Sequence, residues 1–291
     1  MLDRLFVPFR HSFILSHDHK DVQFNLNKIL LIMAYLKLNS NSKNQLGTSI
    51  DMIVKSIGYS PNTRPNRIND IIKNQLRWLE SHNYIFILDG ISIFELNSKE
   101  CFIIVIISEN DVFDMRKKDE DGYSILNDKN SYQYDKFVML EDYEFEAIST
   151  LNSRIGKIDY SDKDNENKIN TDRAILLRVF LNIKKHINMN DLTPKVCFAT
   201  HKTLCRDCNV TTTGTINNAI WDLVKLEILS VFETGSYIDS AGKRQNMVNY
   251  YAIDKDELDQ KYCIASAKQW LKENKGIIVH KFAPIMKPNK I

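Results

Sequence analysis

The sequence predicts an α+β protein, mainly helical, in which one structural unit occurs twice and an acidic segment joins the two copies. Three observations carry that expectation. The same succession of apolar patterns recurs about 150 residues further along the chain. Each succession passes from helical spacing into a β-type run. Charge is sorted along the chain: residues 1–108 hold 12 Lys and Arg against 9 Asp and Glu, a net +3; residues 109–172 hold 9 against 17, a net −8; residues 173–291 hold 18 against 11, a net +7. The expected organisation is therefore an N-terminal domain over 1–108, an acidic connecting segment over 109–172, a C-terminal domain over 173–255, and a basic helix and tail over 256–291.

The first copy opens with Leu26, Ile29, Leu30, Met33 and Leu36, spaced to share one face of a helix. Leu176, Val179, Phe180, Ile183 and Ile187 are the counterpart. A short helix with a small-residue turn follows in each copy, and residues 53–60 align with 204–211 without a gap. Gly58 and Asn209 fall at the same place in that turn, and both residue types tolerate the left-handed backbone of a sharp helix ending. The next helix is longer. Its inward positions are Ile68, Ile71, Ile72, Leu76 and Leu79 in the first copy, and Ile216, Ala219, Ile220, Leu223 and Leu226 in the second. From turn residue to first inward Ile is ten positions in the first copy and seven in the second; residues 61–65 are inserted in the first, where Pro65 suits an opening helical turn.

Each long helix leads into β-type sequence. In the first copy residues 84–88 and 91–95 bracket Asp89-Gly90, a strong signal for a tight hairpin. In the second, residues 230–233 and 247–253 bracket a longer polar loop, 235–246. Residues 101–107 form a buried-strand candidate that extends the first sheet. Within the acidic segment, 141–154 reads as a helix burying Phe145, Ile148 and Leu151; Tyr132, Tyr134 and Phe137 argue for packing ahead of it, and 157–171 reads as a linker. A last helix over about 256–274 is closed by Gly276, and residues 268–291 hold six Lys against one Glu.

Composition bounds the function. A chain of 291 residues, 43% hydrophobic, is long enough for about two cored domains and too apolar for complete disorder. No apolar run approaches the ~20 residues of a membrane span, and the first ten residues lack a signal-peptide stretch. Five cysteines, an odd number, point to a reducing, cytoplasmic setting without structural disulfides.

Helix, helix, turn, helix and hairpin, met twice in register, resemble the winged helix-turn-helix DNA-binding domains. Residues 53–60 follow that family's Leu-Ala-x-x-apolar-Gly-apolar-Ser pattern, and 204–211 do so with Cys for Ala and Asn for Gly. The resemblance covers about half the chain, residues 24–96 and 173–253. It implies that the long helix of each copy enters a major groove and that the hairpin is a wing. With the apolar face turned inward, the first copy would offer Arg67, Asn69 and Lys73, preceded by Thr63, Arg64 and Asn66; Arg64 and Arg67 are the strongest candidates for base or phosphate contact. The second would offer Thr212, Thr213, Thr215, Asn217 and Asn218, and Lys243 and Arg244 on its wing. Asn pairs with adenine and Thr packs on a thymine methyl, so the expected partner is double-stranded, A·T-rich DNA, with a second copy of the chain as a further partner. Two related modules in one chain resemble the replication initiators of plasmids and phage-like elements. A transcriptional regulator using the same surface is the alternative, and a protein adaptor built on winged helices is the outsider.

No catalytic or cofactor motif stands beside this. Cys197, His201, Cys205 and Cys208 have zinc-like spacing, but the repeat puts Cys205 opposite Val54 and Cys208 opposite Ile57, which marks both as small core residues. Asp162, Asp164 and Glu166 begin like a calcium loop, yet Asn167 and Arg173 stand where it needs Gly and Glu. The expectation is a non-enzymatic protein without a cofactor.

Overall fold

A computed structural model describes residues 6–10, 13–14, 27–90, 92–107, 137–150, 169–187, 196–232, 236–238, 241–246 and 249–253, with 261, 265–266, 268–269, 271–273 and 276 toward the C-terminus. Helix takes about 49% and strand 18%, so the chain is α+β with helix dominant. It divides into two compact units, Met1–Leu181 and Asn182–Ile291. The first contains β1 (Phe6–Arg10), α1 (Asn27–Asn39), β2 (Gln45–Thr48), α2 (Ile50–Ser56), α3 (Ile68–Ser81), β3 (Ile85–Ile87), β4 (Phe102–Ile106), β5 (Phe137–Glu141) and α4 (Asp142–Ser149). The helix α5 (Arg173–Lys185) runs through the division. The second holds β6 (Val196–Cys197), α6 (His201–Asp207), α7 (Thr213–Lys225), β7 (Ser230–Phe232), β8 (Ser236–Ile238), β9 (Arg244–Asn246) and β10 (Tyr250–Ala252).

In the first unit α1 is apolar all round, and every residue from 29 to 36 is at most 5% exposed. The expected single stripe is thus too narrow a description: this helix is core on all sides, as its continuous Ile-Leu-Leu-Ile-Met-Ala-Tyr-Leu run requires. Leu26 lies outside the described residues. The Ser49 hydroxyl caps α2 by accepting the Met52 N–H, and Ile53, Val54 and Ile57 face the core. The sheet has the order β2-β4-β3, all antiparallel, with Leu46 and Ile87 both opposite Ile104. A separate pair, β1 with β5, places Phe6 opposite Glu141. There α4 begins with a reciprocal capping box between Glu141 and Glu144, and it buries Phe145 and Ile148. It ends at Ser149, short of the expected end at 154. Leu151, Tyr132 and Tyr134, and all but the last three residues of the expected linker, lie outside the described residues.

The first hairpin differs from its expectation. Residues 88–90 form a 3-10 turn, 93–95 are turn, and β3 pairs instead with β4, eleven residues beyond Ile91. The Asp89-Gly90 signal was outcompeted because residues 92–96 bury Ile93 and Leu96 as a loop, while Phe102–Ile106 supplies a longer β-branched run. Nor is β4 wholly buried. Phe102, Ile104 and Ile106 point inward, but Ile103 on the other face is 40% exposed, next to Phe86 at 46%.

From α5 onward the chain repeats the course it takes from α1 to β4. Thr200 caps α6 through the Thr203 N–H, at the place of Ser49. Both short helices end identically: Tyr59 N–H donates to Val54 O and Val210 N–H to Cys205 O, five residues back, around Gly58 (φ +86°) and Asn209 (φ +51°). The sheet order β6-β10-β7 matches β2-β4-β3, with Cys197 and Val231 both opposite Tyr251, as Leu46 and Ile87 are opposite Ile104. Between β7 and β10 the polar loop builds a ribbon of its own, β8 with β9. The final helix is present at 261, 265–266, 268–269 and 271–273; Leu271 is buried, and Gly276 takes φ +65° after it.

One alignment needs correction. Both long helices end in a left-handed residue, Asn83 (φ +58°) and Glu227 (φ +60°), and counting back from there sets Ile72 against Ile216, Leu76 against Ile220 and Leu79 against Leu223, all buried. The spacing between copies falls from 151 residues at Gly58 and Asn209 to 144 here, so the first copy carries seven inserted residues, more than the five of 61–65. Ile68 is half-buried and belongs to the insertion's end.

Candidate nucleic-acid interface

The seven-residue insertion makes an exposed loop ahead of α3. Residues 62–67 are all exposed, Thr63, Arg64, Asn66 and Arg67 among them. The loop is stitched to the helix it precedes. Asn66 takes φ +58° and donates its N–H to Asp70 Oδ2 at 2.8 Å; Arg64 N–H donates to Asn62 Oδ1 at 3.1 Å; Asn62 N–H donates to Asn69 Oδ1 at 2.8 Å. Asn69 was expected on the outward face, but it is 2% exposed and also donates to Asp51 Oδ1 at 2.8 Å. It is a structural tie between α2 and the loop. A short amide one helical turn before Ile72 accepts the Asn62 N–H and donates to the Asp51 carboxylate, a role that apolar spacing cannot reveal.

Lys73 is half-buried, and its Nζ donates to Leu96 O at 2.7 Å. One turn on, the Arg77 guanidinium sits 5.1 Å from the Phe94 ring centroid. Both cations on this side of α3 hold the 88–101 loop. Arg77 was not singled out by the sequence, because its partner Phe94 lies in a loop read as a strand.

In the second copy Thr212 is the N-cap of α7. Its Oγ1 accepts the Thr215 N–H at 3.4 Å and is 2.9 Å from Thr215 Oγ1. Thr213, Gly214 and Asn218 are exposed, while Thr215 and Asn217 are half-buried. Behind them Ile216, Ala219, Ile220 and Leu223 are buried, as their spacing predicts. On the ribbon Lys243 and Arg244 are exposed, and Arg244 Nε donates to Ser236 Oγ at 2.8 Å, fastening β9 to β8. The site residues thus form two groups, one loop in each copy's long-helix entrance, with the ribbon pair added in the second unit.

No known protein family, curated protein or solved structure matches this chain. The site is therefore read from its own chemistry. Among the described residues no group of three or more His, Cys, Asp or Glu is placed to hold a metal ion, and no helix is long and apolar enough to cross a membrane. Cys205 and Cys208 are buried where Val54 and Ile57 stand. Burial pushes the Cys197 thiol up to about 12, which leaves it protonated and inert. His201 is held below its ordinary value by burial, and its Nε2 lies 2.9 Å from Tyr251 Oη. What the arrangement offers chemically is exposed guanidinium, hydroxyl and amide groups at the entrances of two equivalent helices.

Proposed function

We propose that this chain is a cytoplasmic protein that binds double-stranded DNA through two winged helix-turn-helix domains, as the replication initiator of a plasmid or phage-like element. The observation that carries the reading is the equivalence of the copies. Each has helix, strand, capped short helix, left-handed turn, long helix and a strand pair in the order β2-β4-β3 or β6-β10-β7, with matching register. That succession supports the winged-helix reading, in which a bundle and sheet hold the long helix rigidly with its entrance outward. At those entrances stand Arg64 and Arg67 in one copy and Thr213 and Asn218 in the other, whose unit also exposes Lys243 and Arg244 on the β8 with β9 ribbon. Guanidinium and ammonium groups attract phosphate, and the amides and hydroxyls suit A·T base pairs.

Gel shift of a random duplex at two salt concentrations tests the first half. Binding should weaken steeply as salt rises, since each neutralised phosphate contributes a slope of about −0.9 in log K against log salt. Absence of binding at low salt would favour a protein adaptor. Footprinting tests the second half: protection of tandem direct repeats in an origin supports the initiator, whereas a single palindrome over a promoter would make the chain a transcriptional regulator.

A further inference from the structure

We propose that the two copies have different tasks on duplex DNA, the second reading bases through the outward face of α7 and the first holding phosphates through the loop ahead of α3. The inference rests on the duplex-binding reading above. The copies agree at cap, turn and sheet register, so what differs between them falls at the two helix entrances and the strand connections.

In the first copy the protein's own groups occupy the side of α3 beyond its entrance. Lys73 is committed to Leu96 O, Arg77 lies over Phe94, and Asn69 is buried against Asp51. Asp70, which accepts the Asn66 N–H, puts a carboxylate where a groove would bring phosphates. What remains is the inserted loop, whose exposed residues 62–67 include two Arg and no acid. A flexible guanidinium on such a loop finds phosphate on any sequence and carries little base information.

In the second copy the first two turns of α7 carry no charge on the outward face. Thr213, Asn217 and Asn218 stand there beside Gly214, and Asn can pair with adenine and Thr pack on a thymine methyl without any charge to hold phosphate at long range. Gly214 is the most informative of them. It is helical and exposed, and a Cβ built on it would meet nothing within 4 Å. Among the described residues, then, nothing calls for glycine at a position where alanine is the better helix former. Its absent side chain lets another surface approach the backbone of the first turn closely. The β8 with β9 ribbon of the same unit exposes Lys243 and Arg244, which supply the phosphate attraction that the first two turns of α7 lack.

The test uses the full chain with two probes, a random-sequence duplex and the duplex that the wild type selects from a random pool. The wild type should prefer the selected duplex by about a thousandfold or more. Arg64→Ala with Arg67→Ala should weaken both probes by the same factor, lower the salt slope by about 2, and leave the preference intact. Gly214→Ala should melt no lower than the wild type, so that its effect cannot be assigned to unfolding. It should nonetheless lose about tenfold or more of the preference at an unchanged slope, as should Asn217→Ala with Asn218→Ala. Retained preference in both of those variants would overturn the proposal, and so would an altered preference or an unchanged slope in the arginine pair. A wild type that binds every duplex alike would overturn base reading while leaving duplex binding in place. A wild type that binds no duplex at low salt would remove the underlying reading, and this inference with it.

Discussion

Gly58 and Asn209 occupy equivalent turns, yet only one of them needs to be glycine. Both have positive φ, which costs an L-residue about 1 kcal/mol, less for Asn. At Gly58 there is also no room: a Cβ would stand 2.0 Å from the Ser149 carbonyl oxygen and 2.4 Å from Arg173 Nε. Backbone cannot yield as a side-chain tip can, so Gly58→Ala should lose about 2 kcal/mol or more in denaturant unfolding, whereas Asn209→Gly should change stability by less than about 1 kcal/mol. A second residue-scale prediction concerns Asp207, which is 6% exposed. Burial opposes its charge, but hydrogen bonds from Lys185 at 2.9 Å, His186 at 2.7 Å and Arg206 at 3.1 Å outweigh it and bring the carboxyl from 3.8 to about 2. A depressed carboxyl contributes stability above its unfolded value and loses it as pH falls from about 3.8 to about 2. Asp207→Asn should therefore cost on the order of 2 kcal/mol at neutral pH, and most of the deficit should be gone in unfolding curves taken at about pH 2.

At the scale of elements, legibility followed the range of the interactions that decide each piece. The short helices, their left-handed endings, most inward positions of the long helices (Ile68, Ile71 and Leu226 are only half-buried) and the β7 with β10 pairing were readable, because caps, turns and period 3.6 are written within a few residues. The strands β2 and β6 were not, since four and two residues carry no period to read. The 88–101 loop was misread for a different reason. Its own alternation favours a strand, but Lys73 Nζ holds Leu96 O, and Asp51 N–H donates to Ser98 O at 2.9 Å, both from helices more than twenty residues away. Of the candidate site, the exposed Arg and Thr were legible as types. The burial of Asn69 and the commitment of Lys73 were not, because each depends on a partner in another element. Lys73→Met keeps the aliphatic stem and removes the donor. It should cost about 1 kcal/mol, and amide hydrogen exchange should speed up within residues 93–98 while α2 stays protected.

For the whole molecule, the division into two units predicts how it comes apart. Each unit has its own core, with Ile53, Val54, Ile57 and Ile72 in one and Leu204, Cys208, Ile216 and Leu223 in the other. Within the first unit a polar cluster ties segments remote in sequence: Tyr59 Oη donates to both Asp172 oxygens, at 3.0 and 2.9 Å, Lys28 Nζ is 3.7 Å from Asp172, and Arg173 lies 5.5 Å from the Tyr59 ring centroid. Burial and the adjacent carboxylate raise the Tyr59 hydroxyl far above its ordinary value, so it stays a donor at every physiological pH. Tyr59→Phe removes that donor without changing the ring, and should cost about 1 to 3 kcal/mol because the acceptor is charged. The Lys185, His186 and Asp207 network lies wholly in the second unit. Calorimetry of the full chain should therefore resolve two transitions, with Tyr59→Phe lowering one and Asp207→Asn the other. α5 opposes this separation, since its thirteen residues continue through the boundary and buried Leu181 and Ile183 fall on either side of it. Should a single transition shift with both substitutions, α5 would be transmitting stability from one unit to the other, and the chain would unfold as one cooperative body.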